Sequence, residues 1–267
     1  MQTDHNENQQ RLKLATNLAI HTGKYQVSMM DKPISVQTKS SPIDLVTEVD
    51  TNSQEMIITH IKESYPNDSI LAEEGDYTNN DIKSGWSWII DPLDGTTNYT
   101  HRFPLFCVSI GIYYDLQPQY AVIHIPVSGE TFTAVKDEGA FLNGKRIHVT
   151  DKNHMVSCLL ATGFPYDKAN GADDNMDYFK RVIKLTHGIR RLGSAAIDLA
   201  YVACGRIDGY WELKLKPWDI SAGALIVTEA GGRVTNFPAN DSLDLFNSHV
   251  LATNNVIHDD MLELLGG

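Results

Sequence analysis

The hydrophobic pattern of the first part of the chain predicts two helices. Apolar residues recur at helical spacing within positions 9–30, which indicates an amphipathic helix. The polar segment 34–42 is expected to form an exposed loop. Asp50 lies where it would cap a second helix, and Pro66 marks the end of that helix because proline cannot extend the hydrogen-bond ladder.

The remainder of the first half has the pattern of strands. Two apolar runs, 70–72 and 86–90, each stop at acidic residues. Four more strands are predicted in sequence order, at 107–114, 120–125, 130–135 and 139–147, the last with an Asn143-Gly144 hairpin turn. The pattern therefore indicates two helices followed by an antiparallel sheet over positions 1–150.

The second half, 151–267, alternates between helix and strand. The predicted elements are a strand at 157–162, a helix at 176–186, a helix at 194–204, a strand at 209–212 and a helix at 220–230. No internal repeat, low-complexity tract or long linker separates the two halves. We expect residues 1–267 to form a single unit of two closely packed halves.

Composition narrows the possible partners. The chain has 267 residues and a net charge of -12, which argues against a nucleic-acid backbone or an anionic membrane as the main partner. Its three cysteines lie far apart in apolar surroundings, as in reduced core positions. No run approaches the roughly 18 apolar residues of a membrane span, and the polar start does not have the pattern of a secretory signal. These features predict a cytoplasmic protein.

Two carboxylates, Asp91 and Asp94, follow the strongly apolar strand at 86–90. Pro92 between them favours a tight turn, in which the Leu93 carbonyl would face the same space as both acids. Hard divalent cations such as Mg²⁺ prefer such oxygen ligands. The alternative interpretation is that both acids merely shape a turn and cap a helix.

Residues just beyond these acids suit a bound anion. Gly95 lets the backbone approach a ligand closely, and Thr96 lies at a predicted helix start, where amide groups attract phosphate. Asp219 follows Pro217 at the start of another helix, and Glu73 ends a strand. Taken alone, Asp219 is explained as a helix cap and Glu73 as part of a solvated acidic loop.

Together these segments resemble the inositol monophosphatase family, within the lithium-sensitive, metal-dependent phosphatase superfamily. Its first signature is matched by WIIDPLDGTTNY at 88–99, and its second by WDISAG at 218–223 with EAGG at 229–232. Shorter matches are KSSP at 39–42, DLVT at 44–47, GAFLNG at 139–144, TGFPY at 162–166 and RLGSAA at 191–196. The resemblance covers almost the whole chain.

The resemblance implies an α+β fold, a layered αβαβα sandwich of the inositol monophosphatase and fructose-1,6-bisphosphatase type, usually a homodimer. It implies hydrolysis of a small phosphorylated metabolite with two or three Mg²⁺ per site. Residues matching the family's metal ligands are Glu73, Asp91, Leu93, Asp94 and Asp219. Residues matching its substrate contacts are Lys39 on a lid loop, Gly95, Thr96, Gly193, Ser194, Ala195 and Glu212. Glu73, or Thr96 oriented by Asp50, would accept a proton from the attacking water.

The substrate is open among related phosphatases. Myo-inositol monophosphate is the first expectation, and the same chemistry would serve fructose 1,6-bisphosphate, NADP or 3'-phosphoadenosine 5'-phosphate. Lys214 and Lys216 add positive charge before Asp219. They are either solvated surface lysines or, if they face the pocket, contacts for a second phosphate. A noncatalytic metal-binding regulatory protein is the alternative from another class, although every expected acid is present.

Overall fold

The computed structural model describes residues 2–39, 41–77, 82, 84–167, 173–238 and 242–266. The helices are α1 (Gln2–Met29), α2 (Glu48–Ser64), α3 (Thr96–Thr100), α4 (Met176–Val182), α5 (Ala195–Ala203), α6 (Pro217–Glu229) and α7 (His258–Gly266). The strands are β1 (Val36–Thr38), β2 (Leu45–Thr47), β3 (Ser69–Ala72), β4 (Trp86–Asp94), β5 (Cys107–Tyr114), β6 (Gln117–Ile125), β7 (Glu130–Val135), β8 (Gly139–Leu142), β9 (Lys145–Arg146), β10 (Leu159–Thr162), β11 (Gly188–Arg190), β12 (Gly209–Glu212), β13 (Arg233–Asn236) and β14 (Val250–Thr253). Single 3₁₀ turns lie at Gly75–Tyr77, Met155–Ser157 and Ile183–Leu185.

Two large sheets organise the molecule. Seven strands, β3 to β9, follow one another in sequence order, and all neighbouring pairs are antiparallel except the parallel pair β3–β4. The second sheet has the order β11-β10-β12-β14-β13, in which β10 is parallel to both β11 and β12. β14 pairs with β12 and β13 in the antiparallel sense. The first sheet lies within positions 1–150 and is antiparallel apart from one pair, whereas the second lies within 151–267 and has both parallel and antiparallel pairs.

The helices complete five alternating layers. α1 and α2 cover one face of the seven-stranded sheet, and α5 and α6 lie between the two sheets. α4 and α7 pack on the far face of the five-stranded sheet. The central cluster combines residues of β5 to β8 with residues of α5, α6, β12 and β14, so both halves share one hydrophobic core. This arrangement is the expected αβαβα sandwich.

Several local expectations were wrong. The segment predicted as a loop, 34–42, contains strand β1, which pairs with β2 in an antiparallel hairpin with Val36 opposite Thr47. Its Ser40 lies outside the described residues. Helix α2 begins two residues before Asp50 and is capped by Thr47, whose side chain accepts a hydrogen bond from the Val49 amide. The elements β11, β13, β14 and α7 had no sequence prediction. The three strands are only three or four residues long, and such short strands between polar turns give little periodic signal.

Other expectations were met within the core. Trp88 and Trp211 are fully buried, as expected for packing residues. All three cysteines are free thiols. Among the described helices, none combines the length and the apolar character that a bilayer crossing requires.

Candidate active site

A pocket of about 520 Å³ opens between the two halves of the chain. The end of β4, the N-terminal ends of α3, α5 and α6, and the loop after β10 surround it. Every predicted site residue except Asp50 lines this pocket: Lys39, Glu73, Asp91, Leu93, Asp94, Gly95, Thr96, Gly193, Ser194, Ala195, Glu212 and Asp219. Folding thus brings together residues that are separated by up to two thirds of the sequence.

The first two acids are placed by an irregularity in β4 rather than by the predicted turn. The strand continues to Asp94, and its register against β5 shifts between Asp91 and Asp94. Such a bulge changes the direction of side chains along a strand. Asp91 Oδ1 accepts a hydrogen bond of 3.0 Å from the Leu93 amide, which fixes the bulge from within.

Asp94 connects the two halves of the chain. Its Oδ2 atom accepts hydrogen bonds from Ser194 Oγ and from the Ala196 amide, both at 2.7 Å. Ser194 is the N-cap of α5, and its Oγ also accepts from the Ile197 amide. Hydrogen bonds to a charged group are stronger than neutral ones, so these contacts orient Asp94 toward the pocket.

Asp219 occupies the third position of α6 rather than its cap. The helix begins at Pro217, and Asp219 Oδ2 accepts a 2.7 Å hydrogen bond from the Lys216 amide. The sequence interpretation as a helix-start residue was therefore right in kind but displaced by three positions, because the N-cap is Lys216. Because one carboxylate oxygen of Asp219 accepts this hydrogen bond at the helix start, its other oxygen is left to face the pocket.

The acids share one electrostatic environment. Burial raises the pKa of Asp91 well above its ordinary value, and the charges of Glu73, Asp94 and Asp219 raise it further. Burial and the charges of Asp94 and Glu73 also raise the pKa of Asp219. Burial raises the pKa of Asp94 to about 6, although its bonds from Ser194 and Ala196 oppose the shift. Such mutual repulsion is what a bound cation relieves.

A lysine provides positive charge at the edge of this cluster. Lys39 Nζ lies 2.7 Å from Glu73 Oε1 and also forms an ion pair with Glu74. Burial disfavours its charge, but the two glutamates more than offset that effect, so the pKa of Lys39 is raised. The ammonium group shows that a cation fits beside Glu73. Among the described residues, no three His, Cys, Asp or Glu side chains close around a single point, so the acids border a pocket rather than a finished coordination sphere.

Asp50 lies behind the pocket and reaches it through Thr96. Thr96 Oγ1 donates a 2.8 Å hydrogen bond to Asp50 Oδ1, while Asp50 Oδ2 accepts from the Thr47 amide at 2.9 Å. Asp50 is fully buried, and burial raises its pKa to about 6. The two interpretations of Asp50, helix capping and partnership with Thr96, are therefore compatible because its two oxygens have different partners.

Glu212 faces the pocket from the end of β12. Its Oε2 atom accepts a 2.6 Å hydrogen bond from Tyr210, and burial raises its pKa to about 7. The glutamate lies directly over Gly163, where a Cβ atom would be 2.0 Å from Glu212 Oε1. Gly163 is therefore required for the position of Glu212 because any side chain there would displace it.

Sequence reasoning missed part of the lining. Asp44, Gly163, Tyr166, Asp167 and Arg191 also border the pocket. Lys214, for which the sequence left a solvated and a pocket-facing position open, borders it as well. Burial and the nearby Glu73 raise the pKa of Glu74 to about 7, and this acid also had no predicted role. Several of these residues lie within the short sequence matches described above, which was the available signal. Periodicity and local spacing do not report on contacts between such distant segments.

These layers and the acid-lined pocket between them define a layered α+β enzyme, and comparison with known proteins identifies its family. The family model described as "Inositol monophosphatase family" matches residues 7–266. The inositol-1-monophosphatase of Synechocystis sp. is 42% identical over 95% of this chain and 88% of its own length. The fructose-1,6-bisphosphatase/inositol-1-monophosphatase of Thermotoga maritima is 36% identical over 95% of this chain and 91% of its own.

Solved structures agree with the sequence comparison. The inositol monophosphatase structure from Anabaena (Nostoc) sp. superposes with a TM-score of 0.86 at 40% identity, covering 96% of this chain and 95% of that one. The chain belongs to the inositol monophosphatase family and is a phosphoric monoester hydrolase. The predictions of family, fold and enzyme class are confirmed.

Proposed function

We propose that the protein hydrolyses myo-inositol monophosphate to the alcohol and inorganic phosphate, with Mg²⁺ as cofactor. The observation that carries the proposal is the convergence of Asp91 and Asp94, from β4, and Asp219, from α6, on one pocket beside Glu73. Uncompensated acids in such proximity are costly in a fold that serves only stability. The similarity to inositol monophosphatases supports the substrate.

The carboxylate and carbonyl oxygens that line the pocket are the type of ligand that hard divalent cations prefer. Glu73, Asp91 and the Leu93 carbonyl would hold one Mg²⁺, and Asp91, Asp94 and Asp219 a second. A third would lie near Glu73, held mostly by water. Bound Mg²⁺ supplies Lewis acidity toward phosphate oxygens and lowers the pKa of a water molecule.

The protein's own residues would orient the water and move its proton. Because Thr96 donates its hydroxyl proton to Asp50 Oδ1, the lone pairs of Thr96 Oγ1 are left to accept a hydrogen bond from the attacking water. As the water oxygen attacks phosphorus, Glu73 would receive its proton, or Thr96 would receive it while passing its own hydroxyl proton to Asp50. The bond from phosphorus to the alcohol oxygen breaks in line, and the departing alkoxide takes up a proton from solvent water.

The remaining contacts would hold the two ends of the substrate. Gly95 and Thr96 lie at the start of α3 and would bind the phosphate. Gly193, Ser194, Ala195 and Glu212 would face the alcohol, where the Glu212 carboxylate is suited to accept hydrogen bonds from sugar or polyol hydroxyl groups. Lys39, which lies in the loop between β1 and β2, would act as part of a lid.

The quaternary and cellular context extends the proposal. Residues 1–267 would act as one catalytic unit, supported by the hydrophobic core that both halves share. The active protein would be a cytoplasmic homodimer. Fructose 1,6-bisphosphate is the alternative substrate best supported by a relative, since the Thermotoga maritima protein is named for both activities.

A substrate panel tests the proposal. Release of inorganic phosphate from inositol 1-phosphate, fructose 1,6-bisphosphate, NADP and 3'-phosphoadenosine 5'-phosphate should be measured with Mg²⁺ and with a chelator. We expect Mg²⁺-dependent turnover with the highest kcat/KM for inositol 1-phosphate. No turnover of any ester, together with retained Mg²⁺ binding, would instead identify a noncatalytic metal-binding protein.

A further inference from the structure

Lys214 has an unusual backbone conformation at the rim of the pocket. Its φ angle is +61°, in the left-handed region that residues other than glycine and asparagine seldom adopt. Its neighbours Leu213 and Leu215 are both buried. The chain is therefore anchored on both sides of a strained residue, whose side chain borders the pocket.

An ion pair spans the rim from Lys214. Its Nζ atom lies 2.8 Å and 2.7 Å from the two carboxylate oxygens of Asp167, which belongs to the segment after β10. Both residues line the pocket, and the Asp167 side chain is 58% exposed. Solvent screens a pair of this kind, so its attraction is weak and its partners exchange easily.

The charges along the pocket are unevenly distributed. Asp91, Asp94 and Asp219 form the acidic end, where Lys39 pairs with Glu73. Arg191 and Lys214 add two further cations to the lining, and Arg191 lies near Glu212, the proposed contact for the alcohol. Lys216 also lines the pocket, but it is exposed. Its backbone amide donates a hydrogen bond to Asp219. Lys214 is the lysine whose position at the rim suits a direct contact with a substrate.

We propose that Lys214 is a specificity-determining residue that exchanges Asp167 for a second phosphate group on the substrate. The proposal rests on the proposed function, which places the scissile phosphate at the acidic end. A phosphate carries between one and two negative charges near neutral pH and offers three acceptor oxygens, so it is a stronger partner for an ammonium group than one exposed carboxylate. The pocket, at about 520 Å³, is of ordinary size for a site that holds a small metabolite.

The consequence is a substrate preference that is set at the rim. A monophosphate leaves the pair between Lys214 and Asp167 intact, whereas a sugar bisphosphate gains a contact with Lys214 at the cost of that weak pair. Removing Asp167 should therefore favour the bisphosphate, and removing Lys214 should disfavour it.

The test compares two substrates within each protein preparation. The ratio of kcat/KM for fructose 1,6-bisphosphate to that for inositol 1-phosphate is independent of the fraction of active enzyme. Lys214→Asn removes the charge but keeps a residue that tolerates positive φ. We expect it to lower the ratio about tenfold, the usual effect of losing one hydrogen bond to a charged group, and Lys214→Arg to restore most of it. Asp167→Asn should raise the ratio.

Lys180→Asn is the matched control, because Lys180 forms an exposed ion pair with Asp177 on α4, outside the pocket lining. Its ratio should equal that of the parent protein. An unchanged ratio in Lys214→Asn, or an equal fall in Lys180→Asn, would overturn the inference. Turnover of inositol 1-phosphate without turnover of the bisphosphate would also overturn it while leaving the proposed function intact. Absence of turnover with either ester would refute the proposed function itself.

Discussion

Thr96 and Asp50, which are 46 positions apart, form a buried hydrogen bond in which Thr96 Oγ1 lies 2.8 Å from Asp50 Oδ1. The other oxygen of Asp50 closes the capping box of α2 with Thr47. One carboxylate therefore fixes both the start of a helix and the direction of a hydroxyl group in the pocket. This double role makes it possible to separate a structural effect from a catalytic one by mutation.

Asp50→Asn should lower kcat by about 10²- to 10⁴-fold, the usual contribution of a positioned proton acceptor. The amide places a donor where a carboxylate oxygen now accepts, so either Thr96 or the Thr47 amide loses its partner. Steady-state kinetics with inositol 1-phosphate would measure the effect. Thr47→Ala is the control: it should cost about 1 kcal/mol of stability through loss of the cap but much less of kcat. Equal losses of kcat in the two variants would show that Asp50 acts only through the helix.

Asp94→Asn should abolish most of the Mg²⁺-dependent turnover, on the order of 100-fold or more, because a neutral ligand replaces a charged one. The amide oxygen still accepts from Ser194 and Ala196, so the fold should persist. Thermal unfolding with increasing Mg²⁺ gives an independent measure, since binding to the folded state raises Tm. Asp198→Asn removes a buried acid that does not line the pocket and should keep the Mg²⁺ response. Substantial Mg²⁺-dependent activity in Asp94→Asn would refute the assignment of Asp94 as a ligand.

Gly163→Ala should reduce kcat/KM about tenfold or more, because the new methyl group would lie about 2.0 Å from Glu212 Oε1 and force the carboxylate to move. The loss should appear mainly as a higher KM if Glu212 binds the alcohol portion of the substrate. Gly266→Ala is the matched control, since its Cβ atom would be 3.5 Å from Pro238, an ordinary contact distance. Unchanged kinetics in Gly163→Ala would mean that Glu212 does not contact the substrate.

His258 should make the protein less stable in mild acid. Its ring is buried between Thr235 and Thr253, and burial lowers its pKa to about 4 from an ordinary value of 6.5. As the pH falls, His258 therefore binds a proton in the unfolded chain while its ring stays neutral in the folded chain. The neutral ring contributes fully to the free energy of unfolding above about pH 6.5. This contribution, about 1–3 kcal/mol, is lost as the pH falls toward 4.

Urea unfolding between pH 4 and pH 7 would measure this loss, with His258→Gln as the variant that lacks the titrating group. The exposed His60 provides the control, because His60→Gln should keep the pH dependence of the parent protein. If His258→Gln loses stability over the same pH range and by the same amount as the parent, another group is responsible.

The fold was predictable where a helix or strand had a clear pattern of apolar residues. Strands β5 and β7 begin and end where their apolar runs do, and the Asn143-Gly144 turn has positive φ at both residues, as this dipeptide favours. Strand β1 was mistaken for part of a loop because a three-residue strand with exposed side chains lacks an alternating pattern. The bulge at Asp91 was mistaken for a turn because a proline favours both arrangements.

The sequence by itself determined the family, because carboxylates beside glycine and proline after apolar strands are unusual enough to match one family. It determined the element types where periodicity was strong, since hydrophobic burial is nearly a local property of a helix or strand. Only the tertiary structure decided which oxygen of Asp50 reaches Thr96, why Gly163 must lack a side chain, and that Lys214 lies at the pocket rim. Those relationships depend on distances between segments that are far apart in the chain, and packing of the two sheets around α5 and α6 sets those distances.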